Sequence, residues 1–138
     1  MKKTILIVED TEDDVFFLKR ALRDSGIDHP LSIAIDGKQA LDYLQGNGDY
    51  ANRAQHPLPF LILLDLKLPY VMGLDVLKWI RAQPEYADTL VVVLTSSQHD
   101  RDMTETFRLG GNAYMIKPAT PVKLLEMIKN LGDKWPRE

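Results

Sequence analysis

Pro59-Phe60-Leu61-Ile62-Leu63-Leu64-Asp65-Leu66-Lys67-Leu68-Pro69 is the stretch whose reading decides the fold. Five apolar residues in a row end in a carboxylate, and a proline follows four residues later. An unbroken apolar run of this length between prolines predicts a strand buried on both faces, as a central parallel strand must be. A carboxylate at the end of such a strand lies on the rim of the sheet, in the crevice where open α/β sheets place their ligands. Taken alone, Asp65 reads equally well as a turn residue ahead of Pro69, a common use of aspartate.

The flanking chain repeats one pattern. Upstream, Thr4 to Val8 is a β-branched and leucine run that predicts a buried first strand. It breaks off at Glu9-Asp10, and Thr11 with Asp14 three residues on has the capping-box spacing that starts a helix. Val15, Leu18 and Leu22 form the apolar stripe of that helix, and Gly26 ends it. Leu31 to Ile35 reads as a short second strand, and Asp36-Gly37 turns into a helix carrying Ala40, Leu41 and Leu44. Gly46-Asn47-Gly48 stops it, and the polar segment Asp49 to Pro57 reads as a surface loop.

Downstream of the opening stretch, Pro69 and Gly73 precede a helix from Leu74 to Ala82 with Leu74, Leu77 and Ile80 on one side. Leu90 to Leu94 is a fourth apolar run, ending in Thr95-Ser96-Ser97. The helix pattern from Asp100 to Leu109 is weak, with only Met103, Phe107 and Leu109 large and apolar, and Gly110-Gly111 closes it. Ala113 to Ile116 predicts the fifth strand, followed by Lys117-Pro118. Thr120 can cap a last helix with Pro121 at its first position, with Val122, Leu125, Ile128 and Leu131 facing inward and Gly132 at its end.

Strand and helix thus alternate five times without a repeat or a linker, which predicts an α/β fold: a single doubly wound domain over 1–138, a five-stranded parallel sheet with helices on both faces. The 138 residues are enough for one well-buried core. A net charge of −3 gives no overall field that would favour nucleic acid or an anionic membrane. Zero cysteines exclude disulfides, thiolate metal sites and a cysteine nucleophile. Met1-Lys2-Lys3 ahead of Ile5-Leu6-Ile7-Val8 imitates a signal peptide, but the apolar run is short and Glu9-Asp10 cuts it off, so a cytoplasmic location is expected.

Right-handed crossovers put the carboxyl ends of parallel strands on one edge. That edge then collects Glu9-Asp10, Asp65, Thr95 and Lys117, with Asp36 further out. Carboxylates gathered in one crevice repel each other unless a cation is present, and an all-oxygen donor set favours a hard ion such as Mg2+. A lysine and a hydroxyl at neighbouring strand ends suit the stabilisation of phosphoryl oxygens, and a carboxylate can itself accept a phosphoryl group.

These residues, in this order and at the ends of alternating strands, resemble the receiver domain of two-component response regulators from Thr4 to Leu131. Val8-Glu9-Asp10, Leu41-Asp42-Tyr43-Leu44, the polar loop before the third strand and Leu63 to Pro69 resemble in particular the stand-alone receivers that partner cyanobacterial phytochromes. The resemblance implies a flavodoxin-like (βα)5 fold and a phosphorelay role rather than a free-standing enzyme. Asp65 would take a phosphoryl group from the phosphohistidine of a sensor histidine kinase, with a phytochrome as the kinase the narrower resemblance points to. Glu9, Asp10, Asp65 and the backbone carbonyl of Lys67 would hold Mg2+. Lys117 and Thr95 would contact the phosphoryl oxygens, and Ser96 would leave room for them. Tyr114 matches the switch aromatic coupled to Thr95, and Pro118 a proline that often follows a cis peptide bond. Lys67 and Ser97 occupy positions that tune phosphoryl lifetime.

Each assignment has a plainer alternative. Glu9, Asp13 and Asp14 are also what a helix N-terminus attracts anywhere, and that account is kept here for Asp13 and Asp14. Thr95 could cap a helix, Tyr114 could be half-buried packing, and His29, His56 and His99 read as surface residues in polar turns. A flavin-type binder is disfavoured by the glycine-free acidic segment Glu9 to Asp14, and an aspartate-nucleophile phosphatase by Lys67, where a second acid is needed. An interaction module that works without phosphorylation remains compatible. No output domain is expected, so the signal would leave by relay, or through the fourth helix, fifth strand and fifth helix to a downstream protein or a second copy.

Overall fold

The computed structural model describes residues 3–136, so Met1 and Lys2 of the signal-like start lie outside them, as do Arg137 and Glu138. The elements are β1 Thr4–Val8, α1 Glu12–Asp24, β2 Leu31–Ala34, α2 Gly37–Gln45, β3 Pro59–Leu64, α3 Gly73–Arg81, β4 Leu90–Thr95, α4 Asp100–Arg108, β5 Ala113–Ile116 and α5 Pro121–Leu131. Every strand pair is parallel, in the order β2-β1-β3-β4-β5. The direction of winding therefore reverses between β1 and β3, which opens a crevice at their carboxyl ends.

Alternation along the buried strands divides the core in two. Ile5, Ile7, Leu61, Leu63 and Val92 point to one face, where Leu18 and Leu22 of α1 and Leu124, Met127 and Leu131 of α5 cover them. Leu6, Val8, Ile62, Leu64 and Val91 point to the other, against Tyr43 and Leu44 of α2 and Val76, Leu77 and Ile80 of α3. Each fully buried aliphatic side chain contributes roughly 1.5–3 kcal/mol, so β1, β3 and β4 are the rigid frame of the domain.

Four sequence expectations need correction. Residues Val122, Leu125, Ile128 and Leu131 do not share an inward face: Val122 is 66% and Leu125 51% exposed, and the buried positions are Leu124, Met127 and Leu131. Steps of three residues drift around an α-helix, so Val122 and Leu131 fall on opposite sides, whereas Leu124 and Leu131 nearly eclipse. Thr11 is the N-cap of α1, but its side chain makes no capping bond, and the Glu9 carboxylate instead accepts the Thr11 N–H at 3.1 Å. The anchors expected for α4 are not buried. Met103 and Phe107 are 42% and 49% exposed, and Thr106 is the buried residue of that helix. His29 packs against Phe60 and Trp135, and His56 against Tyr43 and Tyr50, because both turns fold back onto aromatic side chains.

The polar loop before β3 contains a 3-10 turn over Gly48–Ala51. Arg53 ties it down by donating to the Tyr43 and Leu44 carbonyls at 2.7 and 3.0 Å, which satisfies the open end of α2.

Candidate phosphoacceptor and cation site

The sheet register places the site. The Asp65 N–H donates to the Val8 carbonyl at 3.1 Å, so Asp65 and Glu9 leave adjacent strands at the same level. The Lys117 N–H donates to the Thr95 carbonyl at 2.8 Å, which brings the ends of β4 and β5 beside them. Gly73 lets the following helix close on this rim: a Cβ there would stand 2.2 Å from the Asp65 carbonyl oxygen and 2.6 Å from Leu66 Cα.

Asp65 is 7% and Glu9 4% exposed. The Leu66 N–H donates to Asp65 Oδ1 at 2.7 Å, with the Lys67 N–H at 3.4 Å, and these bonds fix the side-chain direction. Lys117 Nζ donates to Asp65 Oδ2 at 2.9 Å, to Asp14 Oδ2 at 2.9 Å and to Glu9 Oε1, so all three ammonium protons are used. The Lys117–Pro118 peptide is cis, and Lys123 Nζ braces that turn through the Ile116 and Pro118 carbonyls at 2.9 and 3.2 Å. Asp10 is exposed, and Glu9, Asp10 and Asp65 each offer an oxygen within 4.8 Å of the others, close enough to share a metal ion.

Three carboxylates, those of Glu9, Asp14 and Asp65, thus share one ammonium, and Asp10 adds a fourth acid beside Glu9 and Asp65. Burial pushes the Glu9 carboxyl up to about 7; the hydrogen bond from Lys117 opposes this and the Asp65 charge reinforces it. Burial works against the Lys117 charge, but its hydrogen bonds to Glu9, Asp14 and Asp65 outweigh that cost and raise its pKa. The residues fit a divalent cation: the donors are hard oxygens, and the charge is unbalanced without one.

Thr95 is fully buried, and its Oγ1 accepts the Ser97 N–H at 3.3 Å. Tyr114 is half-buried and donates its hydroxyl to the Ser97 carbonyl at 2.9 Å. Burial raises the Tyr114 pKa, so the phenol stays protonated and able to donate. Ser96 and Lys67 are exposed at the rim. Tyr70 sits at φ 69°, the centre of a γ-turn in which the Val71 N–H donates to the Pro69 carbonyl at 2.8 Å.

Glu9, Asp10, Asp65, Thr95 and Lys117 therefore meet at the carboxyl edge, where the strand ends predicted them, and Tyr114, within β5, reaches the loop after β4 through its hydroxyl. Asp14, kept as an ordinary helix acid, is the residue that sequence reasoning missed. The spacing could not have found it: Asp14 lies four residues after Asp10, but Asp13 stands at the same spacing from Glu9. Ser97 was noted for its position but not for its contacts.

Fold and rim together define a flavodoxin-like α/β domain with an acidic, lysine-guarded pocket at its switch point. The chain belongs to the response regulator receiver domain family, whose model matches residues 5–129. It is a receiver of the two-component type. The response regulator Rcp1 of Synechocystis sp. is 38% identical over 133 residues, covering 96% of this chain and 88% of Rcp1. The solved Mn2+-bound form of Rcp1 superposes with a TM-score of 0.79 at 39% identity, over 94% of this chain and 91% of that one. The bacteriophytochrome response regulator RtBRR is 40% identical with a TM-score of 0.88, over 100% of this chain and 82% of its own. The phosphorylated cyanobacterial phytochrome response regulator RcpA is 35% identical with a TM-score of 0.81, over 98% and 94%. Among the described residues no helix is long and apolar enough to cross a membrane.

Proposed function

We propose that Asp65 is the phosphoacceptor of a phosphorelay. A carboxylate oxygen of Asp65 attacks the phosphorus of a kinase phosphohistidine, the P–N bond breaks, the imidazole leaves with the electron pair, and an aspartyl phosphate forms. Lys117, already 2.9 Å from Asp65 Oδ2, turns its ammonium to the new phosphoryl oxygens, and the Thr95 hydroxyl donates to one of them. Glu9, Asp10, Asp65 and the Lys67 backbone carbonyl would hold Mg2+, which supplies positive charge opposite the transferring group. Water attack on the same acyl phosphate, promoted within this site, returns Asp65 to its free form.

The observation that carries this reading is the convergence of Lys117, Asp65 and Glu9 at hydrogen-bond distance across residues far apart in the chain. The phosphorylated state of RcpA and the Mn2+-bound state of Rcp1, both relatives over nearly the full length, support it. By the same kinship the phosphodonor is a sensor histidine kinase of the phytochrome class, and this chain acts in the cytoplasm. The output face is α4-β5-α5, where Met103, Phe107, Val122 and Leu125 are exposed for a protein partner or a second copy.

Incubation with Mg2+ and acetyl phosphate tests the assignment. A base-labile phosphoadduct is expected on the wild-type chain and none on Asp65→Asn. An adduct that persists in Asp65→Asn removes Asp65 from this role, and no adduct on the wild type favours a module that works without phosphorylation.

A further inference from the structure

Ser97, two residues past Thr95, is 5% exposed and uses every polar atom it has. Its N–H donates to Thr95 Oγ1 at 3.3 Å, and its carbonyl accepts the Tyr114 hydroxyl at 2.9 Å. Its own hydroxyl donates to Asp102 Oδ2 at 2.5 Å and accepts the His99 N–H at 3.3 Å. One residue therefore joins the site hydroxyl, the switch aromatic and the first turn of α4.

That attachment matters because α4 has little else. Thr106 is its buried residue, and its hydroxyl is spent on the Asp102 carbonyl at 2.8 Å. The N-cap residue His99 makes no side-chain capping bond. Beyond the carboxyl end of α4, the Gly111 N–H returns to the Thr106 carbonyl at 2.8 Å, and Arg81 holds Gly110 and Asn112. The helix is thus clamped past its carboxyl end by Arg81 and at its amino end by the Ser97–Asp102 bond, with sparse core burial between. A helix held in this way belongs to the low-stability part of a fold, where an equilibrium between two placements is set by few contacts.

We propose that Asp102 is a positioning residue of the switch. By holding the Ser97 hydroxyl it fixes the Ser97 carbonyl opposite Tyr114, and so couples the placement of α4 to Tyr114 and Thr95. The Ser97 hydroxyl is directed to α4, so this position acts on the phosphorylated state through the helix and not by placing the attacking water. The inference rests on Asp65 being the phosphoacceptor. By linkage, a contact that favours the inward arrangement of Tyr114 favours every ligand that selects it.

The test uses the full chain with Ser97→Ala, Asp102→Ala, the double variant and Asp102→Asn, whose amide oxygen can still accept from Ser97. Two readouts are taken: the ring resonances of Tyr114 in the unmodified protein, and the apparent affinity for beryllofluoride in excess Mg2+. Asp102→Ala should shift the Tyr114 resonances and weaken beryllofluoride binding about tenfold, the low end for one hydrogen bond to a charged group. Ser97→Ala should match it, the double variant should be no weaker than either, and Asp102→Asn should lie near the wild type. Asp100→Ala, on the same turn, should change neither readout. Loss of α4 order without movement of the Tyr114 resonances would mean that Asp102 is merely structural and would overturn the proposal, as would additive effects of the two single changes. Failure of the wild-type chain to bind beryllofluoride would sink the phosphoacceptor reading and this proposal with it. Normal wild-type binding with unchanged variants would sink the proposal alone.

Discussion

Cation binding at this site should be coupled to the release of a proton from Glu9. Glu9 is 4% exposed, lies beside Asp65, and has its carboxyl pushed up to about 7 by burial. Lys117 holds that carboxylate in the metal-free protein, yet its single charge is shared with Asp14 and Asp65. A divalent cation needs Glu9 ionised, so it must displace the proton wherever one is bound. With a titration midpoint near 7, about nine-tenths of the sites carry the proton at pH 6 and about one-tenth at pH 8, which makes the apparent Mg2+ affinity about tenfold weaker at pH 6. Calorimetric titration in two buffers of different ionisation heat should register about one proton released per ion at pH 6 and almost none at pH 8.

The same shift fixes the sign of a stability effect. A carboxyl raised in the folded state stabilises it fully below its ordinary value of 4.5, and the benefit is lost as pH rises through about 7. Glu9→Gln keeps that position neutral, so above pH 7 the metal-free variant should melt higher than the metal-free wild type, by the equivalent of up to about 3 kcal/mol. Below the ordinary glutamate value the two should converge. Excess Mg2+ should reverse the order at high pH, because the variant has lost a ligand. An affinity that stays flat from pH 6 to pH 8 with no buffer-dependent heat would refute the reasoning.

Three further changes probe other parts of the argument. Gly73→Ala places a Cβ 2.2 Å from the Asp65 carbonyl oxygen, so thermal unfolding should show a loss of about 2 kcal/mol or more and Mg2+ titration a weaker site, both from displacement of the acceptor segment. Tyr86→Phe removes a buried hydroxyl that donates to the Leu44 carbonyl, and denaturant unfolding should register a loss of about 1–2 kcal/mol with phosphorylation by acetyl phosphate unchanged. Asp14→Asn removes the partner of Lys117 that lies outside the metal-ligand set, and the rate with acetyl phosphate should fall about twofold to fivefold, as expected for a partly exposed ion pair.

The strand frame was legible because its residues carry the signal locally. The three central strands β1, β3 and β4 are buried apolar runs and β5 a half-buried one, and the polar residue that breaks each run marks the sheet edge. Once the strands are parallel, that rule alone brings Glu9, Asp65, Thr95 and Lys117 together. The helices were less legible because a face is a phase, and phase is ambiguous in a short apolar stretch. Val122-Lys123-Leu124-Leu125-Glu126-Met127-Ile128 offers apolar residues on more than one side, and only the sheet decides that Leu124 and Met127 go in. In α4 the ambiguity has a physical counterpart: of its three large apolar residues Met103 and Phe107 stay exposed, and Leu109 at its end packs against the core.

What could not be read was the second partner of each site residue. Asp14 meets Lys117 across 103 positions of chain, and no local pattern distinguishes it from Asp13, which the same helix turn leaves exposed. Ser97 is similar: its position was noted, but the direction of its hydroxyl depends on where α4 starts. These unread contacts have a common character. Each joins a mobile or charged element to the rigid rim, Asp14 by holding the lysine to α1 and Asp102 by holding the loop after β4 to α4. The residues that converge on Asp65 define what chemistry the rim can do. The contacts to Asp14 and Asp102 define how tightly the surrounding helices are coupled to it, and it is there that receivers with the same acceptor, lysine and hydroxyl can differ in phosphorylation rate and output.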